Sequence, residues 1–537
     1  MTALHRLAGL FHRSNNLKQA AGILFVTVLV SNVLGLFRNI IIANRVGVTY
    51  GSIGPLDTYY GAFVLPDLLY SILIVGALSS AILPLLVQID TEGDQQKFWR
   101  IFNVLLSTGI VIVVLGLAVL YFVLPIIVPY IFSGFDAEQI KNTTMLSQVL
   151  LLSPIFFTVS QLTSSALQAK RRFFAPALSP IIYNLAIISA ATLIPKYGLP
   201  VLVFGVVLGA AAHFLVQLPS LIRLGWRYQF ELGFKNEHIS RVIRLMIPRT
   251  IALTSTQLLL IVFYRIASHL HDGSIAIYRL TDDLQTAPVL LLANTLAVAI
   301  LPDFARHFAK SQMHEFGRLV SKSLRFFLFL FLPTTLFLLI FREQIIGLYI
   351  SLGQAINPSE TALAVKTFTY FVWSLFFQAS VLLLARAFFA RNNTITPTLI
   401  SVFSLVSAWV TAQLLTNNTD LGVAGLSLAF SIGSTLNAIL LFIWLRLPFS
   451  DIFYDGQKRH NFLYILLGSA ITGVVFVLAE RFAPNISSLF DAGGSVKKFV
   501  EIVFGLLTGM IFYIAWGKAF KLEQWQLIQP EKTSTKT

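Results

Sequence analysis

The sequence predicts an all-α polytopic membrane protein with about fourteen transmembrane helices, and three observations carry that prediction. Of the 537 residues, 56% are hydrophobic and 12% charged, about half the charge of a soluble chain and too little to cover a water-facing surface. Apolar runs long enough to cross a hydrocarbon core of about 30 Å recur from end to end. Lys and Arg, finally, gather in alternate connections between those runs.

In chain order the runs occupy 17–46, 56–88, 98–130, 142–169, 175–195, 199–222, 238–270, 275–309, 316–350, 361–390, 395–416, 421–445, 461–480 and 495–516. The first has a basic flank, but it passes signal-peptide length, reaches Arg38 and lacks a small-residue cleavage pattern, so it reads as a retained helix. Charge or turn residues part the others. Glu92 and Asp94 follow the second, Lys141 the third, Lys170-Arg171-Arg172 the fourth, Lys196 the fifth and the connection 223–237 the sixth. A short turn at 269–274 separates the seventh from the eighth, Lys310 follows the eighth, Arg391 the tenth, and 447–460 lies after the twelfth.

With the connections alternating sides, 27 basic residues fall on the amino-terminal side and 8 on the other, leaving Arg38, Arg249, Arg265 and Arg279 within or at the ends of spans. Both termini are therefore expected in the cytoplasm. A miscounted helix would swap the side of every later loop, so the sustained bias also supports an even count. The net charge of +15 fits Lys and Arg facing anionic lipid and implies no nucleic-acid partner. The absence of cysteine removes thiolate catalysis, Cys-ligated zinc and Fe–S clusters.

A weak internal repeat organises the chain. Ala81-Ile82-Leu83-Pro84 recurs as Ala299-Ile300-Leu301-Pro302 at an offset of 218, and Ala169 to Pro176 resembles the segment from Ala385 to Pro397, with prolines 221 apart. One copy thus spans six helices, and an even number keeps both copies in one orientation, a parallel repeat about the membrane normal. The expected division is a cytoplasmic segment at 1–16, an N-lobe at 17–225, a C-lobe at 238–447, helices thirteen and fourteen at 459–520 and a cytoplasmic tail at 521–537.

Ser31 to Arg38, then Asp57, Leu65-Pro66-Asp67-Leu68-Leu69 and Gly76 to Ala81 with Pro84 resemble the first two helices of the MurJ (MviN) lipid II flippase family, a branch of the multidrug/oligosaccharidyl-lipid/polysaccharide exporter superfamily. Arg265-Ile266-Ala267-Ser268, Leu384 to Arg391 with Thr396-Pro397, and Gly425 to Ala429 extend the likeness over nearly the whole chain. The resemblance implies two six-helix lobes enclosing a cavity, with the last two helices helping to form a groove for a lipid tail. It implies a bacterial cytoplasmic-membrane protein of peptidoglycan biosynthesis that moves lipid II, an undecaprenyl-pyrophosphate glycan, from inner to outer leaflet. It also implies departures. The family usually carries Arg where this chain has Asn32, Tyr70 and Asp283, positions thought to meet the pyrophosphate, and Asp67 stands where Asn is common.

The candidate substrate-handling residues are Arg38, Asn32, Asp57, Arg265 and Arg279, with Asp57 and Asp283 as a gate or ion pair. A basic residue deep in an apolar run costs about 2.5 to 3.5 kcal/mol on insertion scales, so Arg38 requires a wet cavity or a partner. It reads as a pyrophosphate contact, as a snorkelling cation or as an ion-pair partner of Asp57. Arg265 and Arg279 flank the turn 269–274 and restore cationic charge unless Arg279 pairs with Asp283 four residues on. Asp282-Asp283 lacks a third ligand at metal spacing. His213 reads as a packing or hydrogen-bonding group, Gly205 and Gly209 as a close helix contact, and Lys170-Arg171-Arg172 as an ordinary basic loop or a site for anionic lipid.

Catalysis is not expected, because the connections are short and none carries a pattern of acids or His. No cofactor or metal is expected either, and no GxxxxGK[ST] motif occurs. The function read from the chain is a lipid II flippase working by alternating access on membrane lipid substrates. The alternatives are a flippase for another polyprenyl-linked glycan or an ion-coupled small-molecule exporter, for which Asp57 and Asp67, or Asp282 and Asp283, supply the only carboxylates.

Overall fold

The computed structural model describes residues 17–72, 82–233, 257–351, 357–446, 460–488 and 494–524. Among them every regular element is a helix. Eleven are long and apolar enough to cross a membrane, or twelve if a pair bent by 40° counts as one span. The fourteen expected from hydropathy are not all present in that number. The second and seventh fall short because 73–81 and 234–256 lie outside the described residues. The segment Gly76 to Ala81 and most of the connection 447–460 lie outside them as well. Contacts divide the chain into two compact units, Met1–Ala276 and Ile277–Thr537.

The first unit holds α1 (Leu17–Tyr50), α2 (Leu56–Tyr70), α3 (Leu83–Thr91), α4 (Gln95–Ile131), α5 (Ala137–Leu150), α6 (Leu152–Ala169), α7 (Phe174–Ala191), α8 (Ile194–Tyr197), α9 (Pro200–Leu215), α10 (Leu218–Arg223) and α11 (Gln257–Ser268). Side chains start several of these helices locally. Asp94 accepts the Lys97 N–H at the start of α4, and Asp136 and Gln139 form a capping box on α5, each satisfying donors that the first turn leaves open. Phe98, Phe102, Leu106, Leu162 and Leu167 build a core where α4 meets α6. The expected glycine contact is present. A Cβ on Gly205 would strike the Ala190 methyl, and one on Gly209 would lie 3.0 Å from the Tyr183 ring, so α7 and α9 approach closely only because both positions lack side chains.

Lys170 ends α6 with its side chain only 8% exposed. It pairs with Asp90, donates to Gln95 Oε1 at 2.8 Å and lies 4.0 Å over the Phe98 ring. Of the basic triplet read as an ordinary basic loop or a site for anionic lipid, this member is turned inside the protein.

The second unit takes in most of α12 (Ser274–Pro288), a π-helical segment (Val289–Asn294) and α13 (Thr295–Ala309), which run on as one span. It continues through α14 (Met313–Ile340), α15 (Arg342–Ser351), α16 (Pro358–Val372), α17 (Leu375–Ala390), α18 (Ile395–Asn418), α19 (Val423–Trp444), α20 (His460–Ser487) and α21 (Gly494–Ala519). The α16–α17 pair is the bent one. A bend in hydrocarbon frees carbonyls that need donors, and two serines supply them: Ser374 Oγ donates to the Phe371 carbonyl at 3.0 Å and Ser431 Oγ to the Tyr370 carbonyl at 2.7 Å. The last two helices lock together and onto α14. Gly468 leaves room for Trp516, Gly509 for Phe476, Trp516 Nε1 donates to the Tyr464 carbonyl, and the Tyr513 hydroxyl donates to the Phe329 carbonyl.

Candidate substrate-handling site

In the first unit, Arg38 sits in α1, half-buried, and its guanidinium is fixed by amides. Nε and Nη2 donate to Asn39 Oδ1 at 3.1 and 2.9 Å, and Nη1 donates to Asn184 Oδ1 at 3.1 Å. Asn184, on α7, is held in turn by donating to the Ser31 carbonyl at 3.2 Å. These partners are neutral, so the arrangement orients the cation without cancelling its charge. Asn32, six residues earlier in α1, is half-buried. Tyr70, at the end of α2, packs against Phe157 with ring centroids 5.8 Å apart. Asp67 is exposed.

Asp57 is 2% exposed and does not pair with Arg38. Its Oδ2 accepts the Gly273 N–H and its Oδ1 the Ala276 N–H, both at 2.8 Å. The carboxylate therefore caps the start of α12 from another helix, where unpaired amides and the helix dipole both favour negative charge. Gly273 stands at φ +89°, open to glycine at little cost, and this turns its N–H toward Asp57. Sequence spacing gave no hint of this contact, because the cap comes from more than 200 positions away.

Arg265, in α11, places its guanidinium carbon 4.4 Å from the centre of the Tyr130 ring, a cation–π contact. His213 is buried on α9 and shares a compact network with α6: its Nδ1 lies 2.6 Å from Ser160 Oγ, and Gln217 Nε2 donates to the same oxygen at 2.6 Å. It is a hydrogen-bonding group of the helix pair.

In the second unit, Arg279 Nη2 lies 3.2 Å from Asp283 Oδ1, the pair that the four-residue spacing allowed. Asp282 accepts from Gln285 and Thr286 instead. On α17, Gln378 donates to Gln285 Oε1 at 3.0 Å and Arg386 Nη2 to Asn294 Oδ1 at 3.1 Å, so the two contacts bracket the π segment. Such segments concentrate at functional positions. An apolar cavity of about 370 Å³ lies among α14, α17, α19 and α20, lined by Leu328, Phe376, Phe377, Phe442, Phe462 and Leu466, with Arg325, 3% exposed, at its wall. The loop-charge count had placed Arg325 only among the basic residues of the amino-terminal side. No group of three or more His, Asp or Glu residues at metal-binding distance occurs among the described residues.

A family model described as lipid II flippase MurJ matches residues 49–516. The chain belongs to the lipid II flippase MurJ family. Among curated MurJ proteins, the lipid II flippase of Burkholderia cenocepacia is 27% identical over 511 residues, 91% of this chain and 96% of that one. The probable MurJ flippases of Vibrio cholerae and Thermotoga maritima are each 26% identical, covering 88% and 92% of this chain and 91% and 94% of theirs. In fold, the chain is similar to a MurJ structure in an inward closed conformation, with TM-score 0.74 at 22% identity over 93% of this chain and all of that one. It is also similar to an inward-facing MATE-family transporter, with TM-score 0.65 at 14% identity over 78% and 94%. MurJ membership makes this a multi-pass membrane protein of a transporter family rather than of a catalytic one.

Proposed function

We propose that the protein moves lipid II from the inner to the outer leaflet of the bacterial cytoplasmic membrane by alternating access, with both termini in the cytoplasm. The observation that carries this reading is Arg38, a cation inside a membrane helix whose hydrogen bonds go to neutral amides alone. An uncompensated charge there is costly, and a pyrophosphate headgroup, equally costly to bury unpaired, is the ligand that relieves both. Arg38, with the Asn32 amide six residues earlier, meets the pyrophosphate; Arg265 adds cationic field in the first unit and Arg279 in the second, and Asp57 sets the start of α12 rather than touching cargo. Asp283 tempers Arg279. The apolar cavity beside Phe462 and Leu466 suits the polyprenyl chain, in keeping with an N-lobe and C-lobe followed by two helices that form a tail groove.

The test is complementation. In a bacterium depleted of its own lipid II flippase, expression of this chain restores growth and outer-leaflet lipid II. Normal membrane insertion without outer-leaflet lipid II overturns the proposal.

A further inference from the structure

Two carboxylates stand side by side in the long span Ser274–Ala309, and their surroundings differ. Asp283 has a guanidinium partner in Arg279. Asp282, half-buried, has only neutral hydrogen-bond partners: Gln285 Nε2 donates to its Oδ1 at 2.9 Å and Thr286 Oγ1 to the same oxygen at 3.3 Å. Gln285 is fully buried. Its orientation is set from α17, where Gln378 Nε2 donates both to Gln285 Oε1 and to Ser374 Oγ, and Ser374 in turn meets Ser431 at 2.9 Å. A chain of neutral groups thus runs from the bend between α16 and α17 to one carboxylate and stops there.

We propose that Asp282 is a proton-exchange site of the second unit. Resting on the reading of an anionic lipid cargo, it supplies that cargo with a coupling step. A membrane-embedded carboxylate without a cationic partner of its own lowers its cost by taking a proton. Hydronium from entering water gives its proton to a carboxylate oxygen, leaving water and a neutral acid, and the reverse step returns it. Among the described residues, the charged groups facing Asp282 are Arg279 and Asp283 on its own helix. From α17 the facing group is the neutral Gln378, and Arg386 farther along is bonded to Asn294. Protonation therefore leaves Arg279 and Asp283 as a balanced pair and removes one negative charge from the second unit. A metal ion fits less well, since Asp283 is committed to Arg279 and Asp282 Oδ1 already receives two donors.

Purified full-length protein, wild type and Asp282→Asn, is reconstituted in liposomes with fluorescent lipid II at clamped membrane potential, and flipping is followed from pH 5.5 to 8.5, about one unit beyond the ordinary histidine range on the acid side and two on the other. In parallel, infrared difference spectra between acid and alkaline buffer record the carboxylic-acid C=O band without cargo. The expected result is a titrating band in the wild type that Asp282→Asn loses, with flipping that depends on pH in the wild type and is flat in the variant. An identical band and an identical pH profile in both proteins overturn the proposal, as does flipping that follows sodium and ignores pH. Should Asp282→Asn fail to fold, Asp282→Glu is expected to displace the band and the profile along the pH axis, and no displacement overturns it. If the wild type moves no lipid II at any pH, the cargo reading fails while the infrared band still decides the proton site.

Discussion

At the scale of single residues, the position of a charge was easier to infer than its company. Arg38 stood out as a cation in an apolar run, and Arg279 with Asp283 followed from their spacing. Asn184 did not, because a lone amide in an apolar run says nothing of a partner 146 residues away. Arg38→Ala is expected to abolish lipid II flipping in liposomes at normal protein level and insertion. Arg38→Lys should retain a fraction, because an ammonium cannot span Asn39 and Asn184 as the planar fork does; full transport by the alanine variant refutes the assignment. Asp57→Ala leaves two amides at the start of α12 without an acceptor and should cost about 1 to 2 kcal/mol of stability, the upper end of cap effects. Asp57→Asn, which keeps one acceptor oxygen, should cost less. Thermal unfolding in detergent orders the three proteins, and equal midpoints for wild type and alanine remove the cap from the account.

At the scale of helices, hydropathy located the spans but not their internal breaks. The π segment at Val289–Asn294 and the bend before Leu375 are matters of which carbonyl meets which donor, and the apolar character of both stretches is unchanged by them. The GxxxG at Gly205 and Gly209 was plain because only missing side chains permit such an approach. Gly205→Leu forces apart α7 and α9 at Ala190 and is expected to destabilise the protein by about 1 to 3 kcal/mol, the usual cost of overpacking. Since α7 also carries Asn184, flipping should fall with stability. A variant as stable as the wild type in a denaturation series contradicts the close contact.

At the scale of the whole molecule, family membership and the net transport of an anion meet in the membrane potential. Outward passage of each negative charge gains about 2.3 kcal/mol per 100 mV, interior negative, and return of an empty cationic site is favoured as well. Flipping in liposomes should therefore quicken as a potassium gradient with valinomycin makes the cytoplasmic side negative, and slow when the gradient is reversed. A rate indifferent to the imposed voltage means that charge moves in neither limb. Composition and loop charge announced an integral membrane protein, and the internal repeat with the resemblance a transporter, before any contact was known. The proposed cargo contacts were less visible, because the positions Asn32, Tyr70 and Asp283 lack the arginines that the resemblance leads one to expect.

Lys170 offers a chemical handle on this machinery. Activated esters acylate a lysine only when its amine is accessible and can shed its proton, and this amine is enclosed by Asp90, Gln95 and the face of Phe98. Under brief acylation the exposed lysines at 97 and 141 should be modified and Lys170 spared. Peptide mass spectrometry would then follow its protection as a clock for the opening of the end where α3, α4 and α6 meet, with labelling at the same rate as at Lys97 showing that the enclosure does not persist in solution.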